Sequence, residues 1–204
     1  MPTGQSPIAT VMAFVDVGYL TAGAQAHLRL PTKPRIDGNM LWLWATSAQT
    51  GWRHDQLLRV YVYDAEYPSD ADEYPGQRAF FDMLAAQPGI RLRLGHLIRR
   101  SPGSRRAAWQ QKGVDTLLVL DLVRLAQARA FDTALVIAGD RDLAEAVRVV
   151  ADDHARRVNL FSVEGSTPAS ALVHVADYHE VIDDLWLRRV IGLEPDRADQ
   201  PAAP

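Results

Sequence analysis

Four aspartates have the type and spacing to do chemistry: Asp16, Asp115, Asp140 and Asp142. Asp16 closes the apolar run in ATVMAFVDV, and Asp140 follows the run in DTALVIAGD with Asp142 two residues on. Asp115 opens the apolar stretch VDTLLVLDLVRLAQA. Drawn to one place they would repel, since two charges about 4 Å apart cost about 4 kcal/mol at an effective dielectric near 20. A divalent cation removes that cost, and ligands that are all oxygen favour Mg²⁺ or Mn²⁺. Such an ion polarises a phosphoryl oxygen and acidifies an attacking water, so the chemistry on offer is phosphodiester hydrolysis. Each acid also has a plainer reading. Asp140 can cap the helix that follows it, and Asp115 and Asp142 can be first-turn charges that answer a helix dipole. Asp16 is harder to explain that way, and the shared strand-end placement carries more than any single residue.

The elements that would bring these acids together are legible as patterns. ATVMAFVDV, LLRVYVYDA, DTALVIAG and RRVNLFSV read as strands. IRLRLGHLI alternates strictly between apolar and polar residues and predicts a half-exposed edge strand. The helical stretches are GYLTAGAQAHL, stopped by Pro31 and Pro34, then NMLWLWATSAQT, capped by Asp37, and PGQRAFFDMLAAQ. VDTLLVLDLVRLAQA, DLAEAVRVVADDHA and PASALVHVAD continue the series, and HEVIDDLWLRRVIG reads as a short strand and a helix. RRSPGSRRAAWQQ is a loop by its Pro, Gly and Ser content. Strands alternating with helices predict an α/β sandwich around a mostly parallel sheet, where ligands sit beyond the carboxyl ends of the strands. Residues 1–193 are expected to form one domain, and residues 194–204 a disordered tail rich in Pro, Ala and Asp.

A basic block leads into Asp115. From Met83 to Val114 there is no carboxylate, while Arg91, Arg93, Arg99, Arg100, Arg105, Arg106 and Lys112 all fall there with His96 and Trp109. Arg91 and Arg93 are expected to solvate one face of their strand. Arg105, Arg106 and Lys112 lie in or beside the loop nearest the acids, where they could hold phosphates. Trp109 either stacks a base or anchors the loop. Trp42 and Trp44, two apart, predict one buried ring and one exposed ring at which a partner, including a second copy, could dock.

Composition narrows the rest. Net charge is -3, so any basic surface is local, and the absence of cysteine excludes disulfides, iron–sulfur clusters and thiolate nucleophiles. No apolar run approaches a membrane span of about 18–20 residues, and MPTGQSP lacks the charged start of a signal peptide, so a cytoplasmic location is expected. The chain has no phosphate-loop or dinucleotide fingerprint, no H-E-x-x-H and no nucleophile elbow.

AFVDVGYL, YVYDA, KGVDTLLVLDLVRLA, FDTALVIAGDRDL and RRVNLFSV occur in the order seen in NYN domains, and the sequence resembles that family from Ala9 to Leu187. The resemblance implies a PIN-like three-layer α/β/α sandwich and a metal-dependent endoribonuclease acting on single-stranded or structured RNA. It carries metal-binding and catalytic roles onto Asp16, Asp115, Asp140 and Asp142, sets Tyr19 among the substrate-binding residues, and offers Asp121 and Asp64 as outer groups around the metal. For Asp121 an ion pair with Arg124 is the plainer alternative. Three positions depart from the family pattern: Val17 stands where it has Gly, Tyr19 where it has Asn, and Ala138 where it has Ser. These departures keep open a catalytically weakened RNA-binding module of the same fold, and since nothing in the sequence reads a 2′-hydroxyl, a nuclease acting on DNA or nucleotides stays open as well.

Overall fold

The structure, a computed structural model, describes residues 8–48, 55–99 and 109–193. The described strands are β1 (Thr10–Asp16), β2 (Gln56–Glu66), β3 (Ile90–Arg99), β4 (Trp109–Lys112), β5 (Thr133–Ile137), β6 (Arg157–Val163) and β7 (Tyr178–Ile182). They form one sheet in the order β4-β3-β2-β1-β5-β6-β7. Every neighbouring pair is parallel except β3 with β4. The helices are α1 (Val17–His27), α2 (Gly38–Ser47), α3 (Tyr74–Ala85), α4 (Val114–Gln127), α5 (Ala144–Arg148), α6 (Ser170–Val175) and α7 (Asp184–Val190).

Side-chain alternation in the central strands splits the core into two halves. Val11, Ala13 and Val15 of β1 face α1, α2, α3 and α7, whereas Met12 and Phe14 face α4, α5 and α6. Because both faces of β1 and β5 are covered, these strands read as continuous apolar runs. The result is the expected three-layer α/β/α sandwich. Parallel register then sets the site. Val15 lies opposite Ile137, and Asp16 lies opposite Tyr63. Asp16, Asp64 and the Gly139–Asp140 corner therefore emerge together at the carboxyl edge.

The structure corrects several expectations. The end of RRSPGSRRAAWQQ is not loop: Trp109–Lys112 forms β4, paired antiparallel with His96–Arg99. β3 is therefore covered along its second half rather than being the edge. β4 has no apolar alternation of its own, and the exposed backbone of β3 recruits it. Gly95 makes the approach possible, since a Cβ there would sit 2.4 Å from the Lys112 carbonyl oxygen. The helix after β5 is composite: a 3₁₀ turn (Arg141–Leu143), then α5, then a π-helical turn (Val149–Asp153). Trp44 is buried and meets Phe161 edge-to-face at 4.9 Å, as expected of one of the two rings. Trp42 is half-buried against Gly89 rather than exposed. Asp37 caps α2, accepting from the Asn39 and Met40 N–H groups. The predicted tail, residues 194–204, lies outside the described residues. Among the described residues no helix is long and apolar enough to cross a membrane.

Candidate active site

Asp16 is the hinge of the acidic edge. It is the N-cap of α1, its Oδ1 accepting from the Tyr19 N–H at 3.1 Å. A cap engages one carboxylate oxygen, so capping and a role in the cleft coexist. Burial pushes the Asp16 carboxyl up to about 6, and the charges of Asp115 and Asp64 push the same way; the Tyr19 and Gly18 N–H groups pull it back. Asp115, in the first turn of α4, is also raised, by shielding from water and then by Asp140 and Asp142. Asp140 caps the 3₁₀ turn, accepting from the Asp142 N–H at 3.0 Å. The charges of Asp115 and Asp64 thus reach Asp16, and those of Asp140 and Asp142 reach Asp115.

Asp64 continues β2, half-buried, on the side of the sheet opposite Asp115. Its Oδ1 accepts from the Ala65 N–H at 2.8 Å and from Gln111 Nε2 at 3.4 Å. Burial raises its carboxyl while the Ala65 N–H and the Lys33 cation lower it. Gln111 also reaches the Asp16 corner: a Cβ on Gly18 would lie 2.9 Å from Gln111 Oε1 and 3.0 Å from Asp16 Oδ1. Gln111 and Lys33 went unnoticed in the sequence. Nothing in WQQK or in the Pro-rich stretch around Lys33 signals contact with an acid more than thirty residues away; only the β3–β4 pairing does.

Asp121 does not belong to the cleft. It is 2% exposed and takes Arg93 Nε at 2.6 Å, Arg93 Nη2 and Arg124 Nη2 at 3.3 Å, and the Tyr63 hydroxyl at 3.3 Å. The expected Arg124 pair is present but incomplete. Asp121 pins α4 to β2 and β3, and Arg93 is engaged there rather than solvating a strand face. Arg91 is exposed, as expected. Tyr19 stays beside the acidic edge, where burial and then the Asp16 charge raise its hydroxyl. Its ring lies on Gly139, where a Cβ would be 2.2 Å from Tyr19 Cε2, and its hydroxyl donates to the Ser166 carbonyl at 3.4 Å. Val17 is buried in the core. Lys112 is exposed at the end of β4, three residues before Asp115. Arg105 and Arg106 lie outside the described residues.

A divalent ion fits the donor chemistry, since the acids offer only oxygen and the charges of neighbouring acids add to burial in raising Asp16 and Asp115. Among the described residues no group of three acids or histidines is close enough to form a finished cage.

A three-layer α/β/α sandwich with acids at the carboxyl edge of its central strands is the architecture of the PIN-like nucleases. The NYN domain family model matches residues 10–183, and the chain belongs to that family. NYN and other PIN-like nucleases generally use divalent metals. The chain is 31% identical over 121 residues to the uncharacterized protein y4oD of Sinorhizobium fredii (strain NBRC 101917 / NGR234). That match covers 58% of this chain and 51% of the relative, so the chain spans about half the relative's length. A crystal structure of a protein of unknown function from Vibrio parahaemolyticus RIMD 2210633 shares the fold. Its TM-score is 0.62 at 22% identity, and the match covers 89% of this chain and 98% of that one.

Proposed function

We propose that the protein is a Mg²⁺- or Mn²⁺-dependent endoribonuclease. The observation that carries this reading is the convergence of Asp16, Asp64 and Asp140 just at the carboxyl ends of the parallel strands β1, β2 and β5, with Asp115 in the first turn of α4 beside them. The carboxyls of Asp16, pushed up to about 6, and of Asp115 are raised first by burial and then by neighbouring acids, as expected of a site built for a cation. Asp16, Asp115, Asp140 and Asp142 are the acids that would hold the ion, one or two of them directly and the others through its waters. Bound there, the ion supplies Lewis acidity and acidifies water. The chain's residues do the positioning: Lys112 meets the phosphodiester, Gln111 braces Asp64, and Tyr19 walls the cleft on the Gly139 side.

The test is cleavage of single-stranded RNA, single-stranded DNA and free nucleotides side by side with Mn²⁺. RNA should be cut, and Asp115→Asn or Asp140→Asn should lower the rate by about 100-fold or more, since even outer groups of metal sites cost about 10–100-fold. Undiminished cleavage in both variants would sink the assignment. A second reading, an RNA-binding module without turnover, is favoured by the spread of the acids and by the Tyr19 hydroxyl, which is given to the Ser166 carbonyl. It predicts RNA binding with no Mn²⁺-dependent products.

A further inference from the structure

Two clefts share one aromatic wall, and the first of them reaches the acidic edge at Asp64. The first, about 550 Å³, is lined by Asp64 and Gln111 at one end and by Lys33, Arg35, Phe80 and Trp109 further along. The second, about 710 Å³, lies on the far side of Tyr67, Leu97 and Trp109 and is bordered by His96 and Arg99. Both volumes fall in the range of sites that take small organic groups, about 300–1,000 Å³. The wall is built. Tyr67 and Trp109 meet edge-to-face with centroids 5.2 Å apart, and the Arg99 guanidinium lies 5.1 Å over the Trp109 ring. Gln77 fixes its base, accepting from the Tyr67 N–H at 2.8 Å and donating to the Ala65 carbonyl at 3.0 Å. Cations flank the wall on both sides, alongside Glu73 in the first cleft and Glu66 and Asp70 in the second. Lys33 is exposed and near enough to Asp64 to act on its carboxyl, and Arg35 sits 5.2 Å over Phe80.

We propose that the Tyr67–Trp109 ridge and its two clefts form a subsite for unpaired nucleotides, threading a single strand past Lys33 and Arg99 so that the phosphate next to a stacked base reaches the acidic edge. The inference rests on the nuclease reading for what happens at that edge, but not for the binding itself. An aromatic ridge between base-sized clefts, rimmed by guanidinium and ammonium groups, is the arrangement by which proteins take single strands without reading their sequence. A duplex, whose bases are already stacked on one another, offers nothing to this ridge. The ridge therefore favours unpaired nucleotides over paired ones.

The experiment measures binding by the full chain, without divalent metal, of a fluorescent single-stranded oligoribonucleotide and of the same sequence as a duplex. Trp109→Leu, which keeps bulk but removes the π-face, should weaken single-strand binding by about tenfold or more, and Trp109→Phe should keep most of it. Duplex binding should be weaker from the start and indifferent to both changes. Melting curves confirm that each variant folds. Should the leucine variant fail to fold, Lys33→Gln on the exposed linker provides the test: it should lower the dependence of log affinity on log salt by about one. Equal single-strand binding in wild type and Trp109→Leu, an unchanged salt slope in Lys33→Gln, or duplex binding as tight as single-strand binding, overturns the proposal. If Trp109→Leu loses binding while no Mn²⁺-dependent cleavage is found, the subsite stands and the nuclease reading falls.

Discussion

Asp16 commits one carboxylate oxygen to the Tyr19 N–H and sits between the charges of Asp115 and Asp64. Two consequences at the residue scale pull in opposite directions. Its folded pKa, about 6, lies above the ordinary 3.8. The folded state therefore binds this proton more tightly than the unfolded chain does, and an ionised Asp16 works against folding. The penalty is fully present above about pH 6, fades as pH falls towards 4, and amounts to no more than about 3 kcal/mol. Asp16→Asn removes the charge and keeps the cap, since Asn caps as well as Asp. It should melt higher than wild type at pH 7.5, with the gain shrinking to nothing near pH 4. The same variant should lose Mn²⁺ affinity by titration, and wild-type affinity should rise as pH goes from 5 to 7 because the proton competes with the ion. An Asp16→Asn variant that melts lower at pH 7.5 would contradict this placement of the charge. The sequence left a helix cap and a metal ligand as alternatives for Asp140. The structure shows both Asp16 and Asp140 as caps at the cleft, a coincidence that local sequence cannot reveal.

At the scale of elements, α4 carries Asp115 at one end and Asp121 two turns on, and the two do different jobs. Asp121 holds the helix to the sheet through Arg93 and the buried Tyr63 hydroxyl, whose pKa is raised by burial and by the Asp121 charge. Asp121→Ala leaves Arg93 and Arg124 free to find water, as both are substantially exposed. The loss is then mainly the orphaned Tyr63 hydroxyl and the small void, about 1–3 kcal/mol by denaturant melts. Mn²⁺ affinity should be nearly unchanged, because Asp115 sits in the first turn after Gly113. A Mn²⁺ affinity that collapsed with stability intact would return Asp121 to the metal site. Gly95→Ala is the complementary change. It places a methyl group against the Lys112 carbonyl, so it should displace β4 and with it Gln111, Lys112 and the start of α4. Metal and RNA binding should fall together with the melting temperature. Apolar runs such as AFV and ALVI disclosed β1 and β5 because both faces of those strands are buried. WQQK disclosed nothing, because β4 exists only as the partner of β3, and the Arg93–Asp121 pair is hidden by a sequence separation of 28.

For the whole molecule, the acidic edge makes stability and cation binding a single linked quantity. The carboxyl ends of β1, β2 and β5 and the start of α4 converge there, so an ion bound between them ties both halves of the core to one point. Binding to the folded state alone adds RT ln(1 + [L]/Kd), about 2.7 kcal/mol at a hundredfold excess over Kd. For a chain of 204 residues each kcal/mol moves the midpoint by about 2–4 °C. Saturating Mn²⁺ should then raise the melting temperature at pH 7.5 by about 5–10 °C. The increment should shrink at pH 5, where Asp16 must first release its proton, and should vanish in the Asp16→Asn, Asp115→Asn double variant. In that variant the apo protein should melt above wild type, because both substitutions remove charges that burial and neighbouring acids disfavour. Thermal melts with and without Mn²⁺ at the two pH values separate the two effects. An increment that survives the double substitution would place the ion elsewhere on the protein, and an apo variant that melts lower would mean that the cluster is held by contacts the carboxylates supply rather than strained by their charge.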